Sequence, residues 1–426
     1  MQFRINRLGI IVFLVVIASY FVKKEISFLF ACAYLLFFYR SKILTVVRNS
    51  KILLPLLLIF VIGVMAGISN PINDLLRDTF GLVNVLLFFI FGVSFQKYIS
   101  NFKAFYKYIK LAALISGTVH IVLFLSYYAS AYSLDNLRLL AGRGSIVEAI
   151  FIALFLSRML NKKFRHYMSR AGIFDYLVFF IMIVSFLMYI SRSMMISTAI
   201  YTLFLSNYVN LRDFSRALFR KSFVVVTILI CFAALLGVFS STTGNSPLDW
   251  VVGKFERIPQ EVFWDSKKNS TADLADINDN WRGYEAYQGV LKFYNGSTFQ
   301  KTFGYGYGAL VDLNLIMNLG GKDYSEIPVL HNGYVMLLVK SGIFGILMYL
   351  IFIYALGFMK LKKSEDSPEQ FYFGQMLSAL SIIVLINTFT ITGLLNPDDA
   401  LTPTLLGLFF GLTRKNNIIV NQKKIN

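Results

Sequence analysis

The chain has 426 residues, of which 57% are hydrophobic, 16% are aromatic and only 15% are charged. This composition excludes an ordinary soluble domain and is typical of a polytopic membrane protein. The net charge of +18 does not indicate a nucleic-acid partner, because the basic residues fall in short clusters between apolar runs.

The cysteine and histidine contents argue against a disulfide framework and a multi-histidine metal centre. Cys32 and Cys231 both lie inside apolar runs, and the chain has three histidines. We therefore expect no metal centre built from cysteine or histidine. The first apolar run, residues 8–22, follows a basic start but has no small-residue cleavage site after it, so we interpret it as a membrane span.

Apolar runs of membrane-spanning length recur along the whole chain. They predict an all-α polytopic membrane protein with about 12 transmembrane helices. The predicted spans are residues 8–22, 26–39, 52–68, 80–96, 108–128, 145–160, 172–190, 193–209, 222–239, 333–358, 371–390 and 400–413.

The distribution of basic residues predicts the orientation of these spans. The side that carries both termini holds 26 of the 41 lysines and arginines, whereas the short loops on the opposite side hold six. Because lysine and arginine in short loops resist translocation, the first side is predicted to be cytoplasmic. The tail, residues 414–426, belongs to that side.

A long polar segment, residues 240–330, separates spans 1–9 (residues 1–239) from spans 10–12 (residues 331–413) and is predicted to face outward. In its second half, Asp279 or Asn280 can cap a helix whose aromatic residues recur at helical spacing until Asn295. On the other face of that helix, Arg282 and Glu285 are close enough to pair. A glycine-rich turn, GYGYG at residues 304–308, follows, and in it the chain can approach another group closely.

His331 opens the segment HNGYVMLLVKSGIFGILMYL, which passes without a polar break into an apolar run ending near Phe358. At about 1.5 Å per residue this run is long enough to cross a bilayer, so His331 and its neighbour Asn332 should lie at the outer membrane surface. A neutral imidazole there can act as a general base toward a hydroxyl group. The alternative is a structural histidine that bonds to the loop.

Among the arginines predicted on the outward side, where basic residues are disfavoured, four are candidates for a site: Arg138, Arg143, Arg192 and Arg282. Guanidinium groups that converge on one cavity suit a diphosphate ligand. Each arginine taken singly is more often an interfacial anchor, but four of them around one histidine favour a binding site.

Two further ionisable residues lie inside predicted spans. Glu148, near the start of span six, would be costly to bury alone and predicts a partner such as Arg143 or Arg192. It is either half of a structural ion pair or a second base. His120 is expected to form a hydrogen bond between helices.

Four features in the same order give the chain a resemblance to a known family. They are Ser191-Arg192 at a span end, Arg282 in NWRGYEAYQG, the Gly-x-Gly turn in FGYGYG, and the histidine-led span. In this order they resemble the O-antigen ligase and polymerase superfamily of bacterial envelopes, the Wzy/WaaL-type proteins. The resemblance covers about residues 170–360, whereas the first five spans match only in hydropathy.

This resemblance implies a metal-independent glycosyltransferase of the bacterial inner membrane with a periplasmic active site. The donor would be an undecaprenyl-diphosphate-linked glycan, and the acceptor a second lipid-linked repeat unit or lipid A-core. His331 would activate the acceptor hydroxyl, and Arg192 and Arg282 would bind the lipid diphosphate. Arg138 and Arg143 are weaker candidates for the same role. A flippase and a chain-length regulator are conceivable partners.

The residues leave several functional alternatives open. A polymerase of O-antigen or capsular repeat units and a ligase that transfers the finished chain share this site and differ in their acceptor; we favour the polymerase because polymerases are the more numerous. A polysaccharide transporter or flippase would also have about twelve spans. The chain lacks the internal repeat that transporters usually have, and its polar residues crowd one face.

Overall fold

A computed structural model describes residues 24–38, 51–99, 101–128, 145–168, 171–189, 191–209, 277, 280–319, 322–358, 367–396 and 399–423. The predicted spans at residues 8–22 and 222–239 lie outside the described residues. So does most of the first half of the predicted loop.

Helices form most of the described structure. They are α1 (Lys24–Phe38), α2 (Leu54–Ala66), α3 (Ile72–Phe95), α4 (Phe102–Tyr128), α5 (Ser145–Leu160), α6 (Lys162–Met168), α7 (Ile173–Tyr189), α8 (Arg192–Leu205), α9 (Trp281–Tyr294), α10 (Thr298–Phe303), α11 (Gly333–Gly357), α12 (Pro368–Ile391) and α13 (Leu401–Lys423). Each predicted apolar run within the described ranges overlaps one of these helices. The last helix continues past residue 413, where the sequence predicted its end.

Four of the described helices, α3, α4, α11 and α12, are long and apolar enough to cross a membrane. The consecutive helices α6 and α7 count as a fifth only if the 119° bend between them lies within a single span. The chain is therefore a helical protein of the membrane type. The total of twelve spans stays a prediction.

The segment after His331 is a helix of spanning length, as predicted, but α11 bends sharply at Gly342. This residue has φ 64° and ψ −165°, a conformation that favours glycine. The rings of Tyr334 and Tyr349 lie 6.2 Å apart, whereas a straight helix would separate these positions by about 22 Å. The backbone of Thr302 packs directly against Gly342 at the bend.

Glycines also allow two helices of the core to approach closely. A Cβ atom on Gly92 of α3 would overlap the carbonyl oxygen of Thr404 on α13. One on Gly407 of α13 would overlap the carbonyl oxygen of Phe89. Small residues at such positions let helix backbones touch, which is a common way to pack helices in membranes.

Contacts between helices indicate which helix ends lie together. Phe164 follows the end of α5 and packs its ring 4.6 Å from that of Tyr372, at the start of α12. The hydroxyl of Ser157 donates to the carbonyl oxygen of Thr202 at 3.3 Å, which brings the end of α8 to the same place. The starts of α5 and α8 and the end of α12 therefore point toward the opposite end of the bundle, which we call the site end.

One element departs from the all-α prediction. An antiparallel hairpin, β1 (Val311–Leu319) and β2 (Lys322–Ile327), follows the glycine turn, with an irregularity in register between Asp312 and Met317. Its buried residues pack on α9 and on the first half of α11 in a small core separate from that of the helical bundle. This core contains Ile277, Tyr284, Ala286, Ala309, Val311, Leu313, Met317, Ile327, Leu330, Val335 and Val339.

Helix α9 confirms the helix predicted in the second half of the long segment. It runs from Trp281 to Tyr294, and Asn295 occupies the C-cap position. The hydroxyl of Tyr284 donates to the carbonyl oxygen of Leu313 at 2.5 Å, and burial raises the pKa of this tyrosine. Through this contact α9 is fixed on the hairpin.

Candidate active site

His331 lies just before α11 and is held by a carboxylate from α9. The Nδ1 atom of His331 lies 2.8 Å from Oε1 of Glu285, and the backbone N–H of His331 donates to the same oxygen. The Glu285 side chain is 1% exposed, whereas the His331 side chain is 48% exposed. One edge of the imidazole is therefore fixed inside the protein while the ring stays open to solvent.

This contact defines the protonation pattern of the imidazole. An ionised carboxylate can only accept a hydrogen bond, so a neutral His331 carries its proton on Nδ1. The lone pair then resides on Nε2. A histidine oriented in this way can take a proton from a substrate hydroxyl, and the carboxylate stabilises the imidazolium that results.

Two further elements fix the backbone of His331. Asn332 is the N-cap of α11, and its Oδ1 accepts hydrogen bonds from the N–H groups of Tyr334 and Val335, both at 3.1 Å. The carbonyl oxygen of His331 accepts a bond from the backbone N–H of Thr392, just past the end of α12. Asn332 is therefore a helix cap beside His331, and its predicted supporting role in the site stays a prediction. His331 lies at the site end of the bundle.

Arg282 is exposed on α9, one turn before Glu285. Side chains three residues apart on a helix lie about 5–6 Å from each other at Cβ, so Arg282 starts within one helical turn of the site, with its side chain exposed. We expected Arg282 to pair with Glu285. Instead Glu285 points inward to His331, because α9 buries that face against α11 and the hairpin.

The other predicted arginines are located only in part. Arg192 begins α8, and the start of α8 lies at the site end, as does His331. Arg138 and Arg143 lie outside the described residues. Of the four predicted arginines, Arg282 is thus brought within one helical turn of the Glu285–His331 pair, and Arg192 is brought to the same end of the bundle.

Glu148 lies near the start of α5 and is buried among hydroxyl groups from neighbouring helices. Its carboxylate accepts hydrogen bonds from the hydroxyls of Ser116 at 2.9 Å, Ser185 at 2.6 Å and Tyr189 at 3.2 Å. These three hydroxyls are partners of Glu148 within the described part of the chain, and its predicted pairing with Arg143 or Arg192 stays a prediction. Nδ1 of His120 lies 2.9 Å from Oγ of Ser185, which confirms that His120 bonds across two helices. Glu148 makes no described contact with His331.

The glycine turn connects the site to the bundle. Gly304, Gly306 and Gly308 have φ values of 84°, 80° and 87°. A Cβ atom on Gly304 would overlap the backbone of Ser341, and one on Gly306 would overlap the backbone of Gly67. The turn therefore packs tightly between the bend of α11 and the connection from α2 to α3. The sequence predicted such a close approach for this turn.

A buried ion pair fastens the same turn. Nζ of Lys340 on α11 lies 2.5 Å from Oδ2 of Asp78 on α3 and also donates to the carbonyl oxygen of Ala309. The same Asp78 oxygen accepts the N–H of Gly308 at 2.8 Å. The one charge in the apolar run after His331 thus anchors α11 to α3 and to the turn.

Sequence reasoning missed the role of several residues in this arrangement. Glu285 was considered only as a partner for Arg282, although its place on α9 faces the segment that carries His331. Thr392 and Asp78 gave no recognisable pattern, since each acts through a contact between distant parts of the chain.

No model of a known protein family matches the chain, and no curated protein matches it.

Proposed function

We propose that the chain is a glycosyltransferase of the bacterial inner membrane that transfers a glycan from undecaprenyl diphosphate to a sugar hydroxyl. The observation that carries this proposal is the Glu285–His331 pair, a half-exposed imidazole held by a buried carboxylate at one end of apolar helices. Such a pair suits proton removal from an alcohol. Arg282, one turn away, suits the negative charge of a diphosphate leaving group.

The proposed reaction is a single displacement at the anomeric carbon of the donor sugar. Nε2 of His331 takes the proton of the acceptor hydroxyl as its oxygen forms a bond to that carbon. The bond from the same carbon to the diphosphate oxygen breaks, and undecaprenyl diphosphate leaves with its electron pair. Arg282, together with Arg192, would stabilise the charge on the departing diphosphate. Neither a metal nor a cofactor takes part in this scheme.

The finer topology belongs to the same proposal. Twelve spans would place both termini in the cytoplasm and residues 240–330 in the periplasm. The basic residues at the start of α4 and around α6 would then face the cytoplasm, in agreement with the positive-inside rule. The site end, with His331, would face the periplasm, where the lipid-linked donor is presented.

We favour a polymerase of O-antigen or capsular repeat units, and a ligase is the alternative. A deletion strain of the source organism, complemented with wild type or His331→Ala, distinguishes them when its glycans are separated by size. Single repeat units without polymer identify a polymerase. Full-length polymer that stays on undecaprenyl diphosphate identifies a ligase.

A matched control is His166→Ala. His166 is an exposed histidine on α6, at the end of the bundle opposite His331. We expect this variant to give the wild-type glycan pattern at the same protein level in the membrane. If His331→Ala also gave the wild-type glycan pattern, the result would contradict the proposed transferase and favour the transporter interpretation.

A further inference from the structure

The second half of α11 carries an apolar stripe that no described part of the chain covers. Its exposed side chains are Ile343, Leu347, Leu350, Ile351, Tyr354 and Phe358. By contrast, no residue of the first half, before the bend at Gly342, is exposed. A stripe of this composition on a membrane-type helix is suited to contact with lipid acyl chains.

The stripe is too short to match a bilayer by itself. From Ile343 to Phe358 the helix rises about 22 Å, whereas the hydrocarbon core is about 30 Å thick. At its far end the rings of Tyr354 and Phe358 stack with centroids 4.5 Å apart. Aromatic residues of this kind mark a membrane interface. The missing length therefore lies at the other end, beside the bend.

Helix α10 occupies that position. Its last residues, Thr302 and Phe303, pack against Gly342 at the bend. The ring of Phe303 lies 6.1 Å from that of Phe344 and 5.2 Å from that of Phe299. Phe299 is 60% exposed. The apolar stripe of α11 thus continues without a gap onto α10.

The residues around Phe299 are of the types found at the boundary between a membrane and water. Nζ of Lys301 lies 5.4 Å from the centre of the Tyr294 ring, at the exposed end of α9. Lysine combined with exposed aromatic rings is typical of the boundary between headgroups and acyl chains, where the stem of a lysine is buried and its ammonium group reaches water.

We propose that α10 and the end of α9 are embedded in the outer boundary of the bilayer, with Phe299 among the acyl chains. A helix lying across the top of the stripe adds about 10 Å, which brings the apolar length to that of a hydrocarbon core. The occupant of this surface is the lipid bilayer itself. The inference is independent of the proposed transferase activity.

Nitroxide labels on single cysteines test this placement in the full chain reconstituted into vesicles, after Cys32→Ser and Cys231→Ser. The label positions are Phe299→Cys, Leu347→Cys on the stripe as the lipid reference, and Ile316→Cys on the hairpin. Ile316 is the matched control, because it is 70% exposed and equally apolar but lies among charged and polar hairpin residues. Power saturation measures the collision rate of each label with oxygen and with a water-soluble nickel chelate.

We expect the ratio of oxygen to nickel accessibility at Phe299 to lie several-fold above the ratio at Ile316 and close to that at Leu347. A ratio at Phe299 equal to that at Ile316 would overturn the proposal. So would an aqueous ratio at Leu347, since the stripe would then not face lipid. Tyr294→Cys provides a second label on the same surface, with the same expectation, if the Phe299 variant does not accumulate.

Discussion

The ion pair between Lys340 and Asp78 makes a sharp prediction about stability. Asp78→Asn keeps the shape of the side chain and an oxygen that can accept the N–H of Gly308, but it removes the only counter-charge within 4 Å of the Lys340 ammonium among the described residues. The ammonium is then left buried with the carbonyl oxygen of Ala309 as its partner. Removing one member of a buried pair costs about 3–5 kcal/mol of folding free energy.

The reverse change should cost less. Lys340→Met removes the buried cation, and Asp78 still accepts the N–H of Gly308 at 2.8 Å and lies 3.3 Å from Nε of Arg77. We expect a loss of about 1.5–3 kcal/mol, the range for a hydrogen bond to a charged group. The double variant should be more stable than Asp78→Asn alone, with a coupling energy of about 2 kcal/mol.

Equilibrium unfolding in mixed detergent and dodecyl sulfate micelles measures these free energies. Asp74→Asn is the matched control, since Asp74 pairs with Arg77 at a similar distance of 2.6 Å on the same helix but in a partly exposed position. An exposed pair of this kind contributes about 0–1 kcal/mol. A loss with Asp78→Asn no larger than with Asp74→Asn, or strict additivity with Lys340→Met, would refute the reasoning.

Three further variants test other parts of the account. Gly342→Ala should lower the midpoint of thermal unfolding, because its φ of 64° disfavours other residues and its contact with Thr302 leaves no room for a Cβ atom. Gly172→Ala is the control and should leave the midpoint unchanged, because a Cβ atom there meets nothing within 4 Å. Glu148→Leu should lose about 1–3 kcal/mol more than Glu148→Gln, since leucine offers no acceptor to the surrounding hydroxyls, and equal losses would contradict that role. Arg282→Lys should reduce polymer formation without loss of protein from the membrane, because an ammonium group cannot replace the paired N–H donors of a planar guanidinium group. A normal amount of polymer would argue against diphosphate binding by Arg282.

The helical architecture could be predicted from the sequence because each helix depends on local apolar composition. Every predicted run inside the described ranges is a helix, and the extent of α9 followed from the spacing of its aromatic residues and the cap positions at its ends. The turn at GYGYG and its close approach to another part of the chain were likewise expected from the glycines. These features need no knowledge of contacts between distant residues.

The bend in α11 could not be predicted in the same way. Gly342 lies in an apolar run in which glycine is a common residue of membrane helices, so hydropathy alone favours a straight span. At its positive φ, Gly342 packs against Thr302, which is 40 positions earlier in the chain. The hairpin was missed for a related reason, since it is stabilised by a core shared with α9 and α11.

The residues of the candidate site were predicted from the sequence, but the contacts between them were not. His331, Asn332 and Arg282 were selected from the sequence, and the structure places them at one end of the bundle. The partner of His331 was not selected, because an acidic residue three positions after an arginine most simply predicts a pair on one helix face. Only the packing of α9 on α11 turns Glu285 toward the imidazole.

The central claim is that His331, oriented by Glu285, removes the proton of an acceptor sugar. Its most direct test is the rate of glycan transfer in membrane vesicles from the deletion strain carrying wild type, His331→Ala or Glu285→Gln. We predict a loss of about 10²-fold or more with His331→Ala. We also predict a smaller loss with Glu285→Gln, which can still accept the bond from Nδ1 but no longer stabilises an imidazolium. Wild-type rates with His331→Ala at an unchanged protein level would contradict the account.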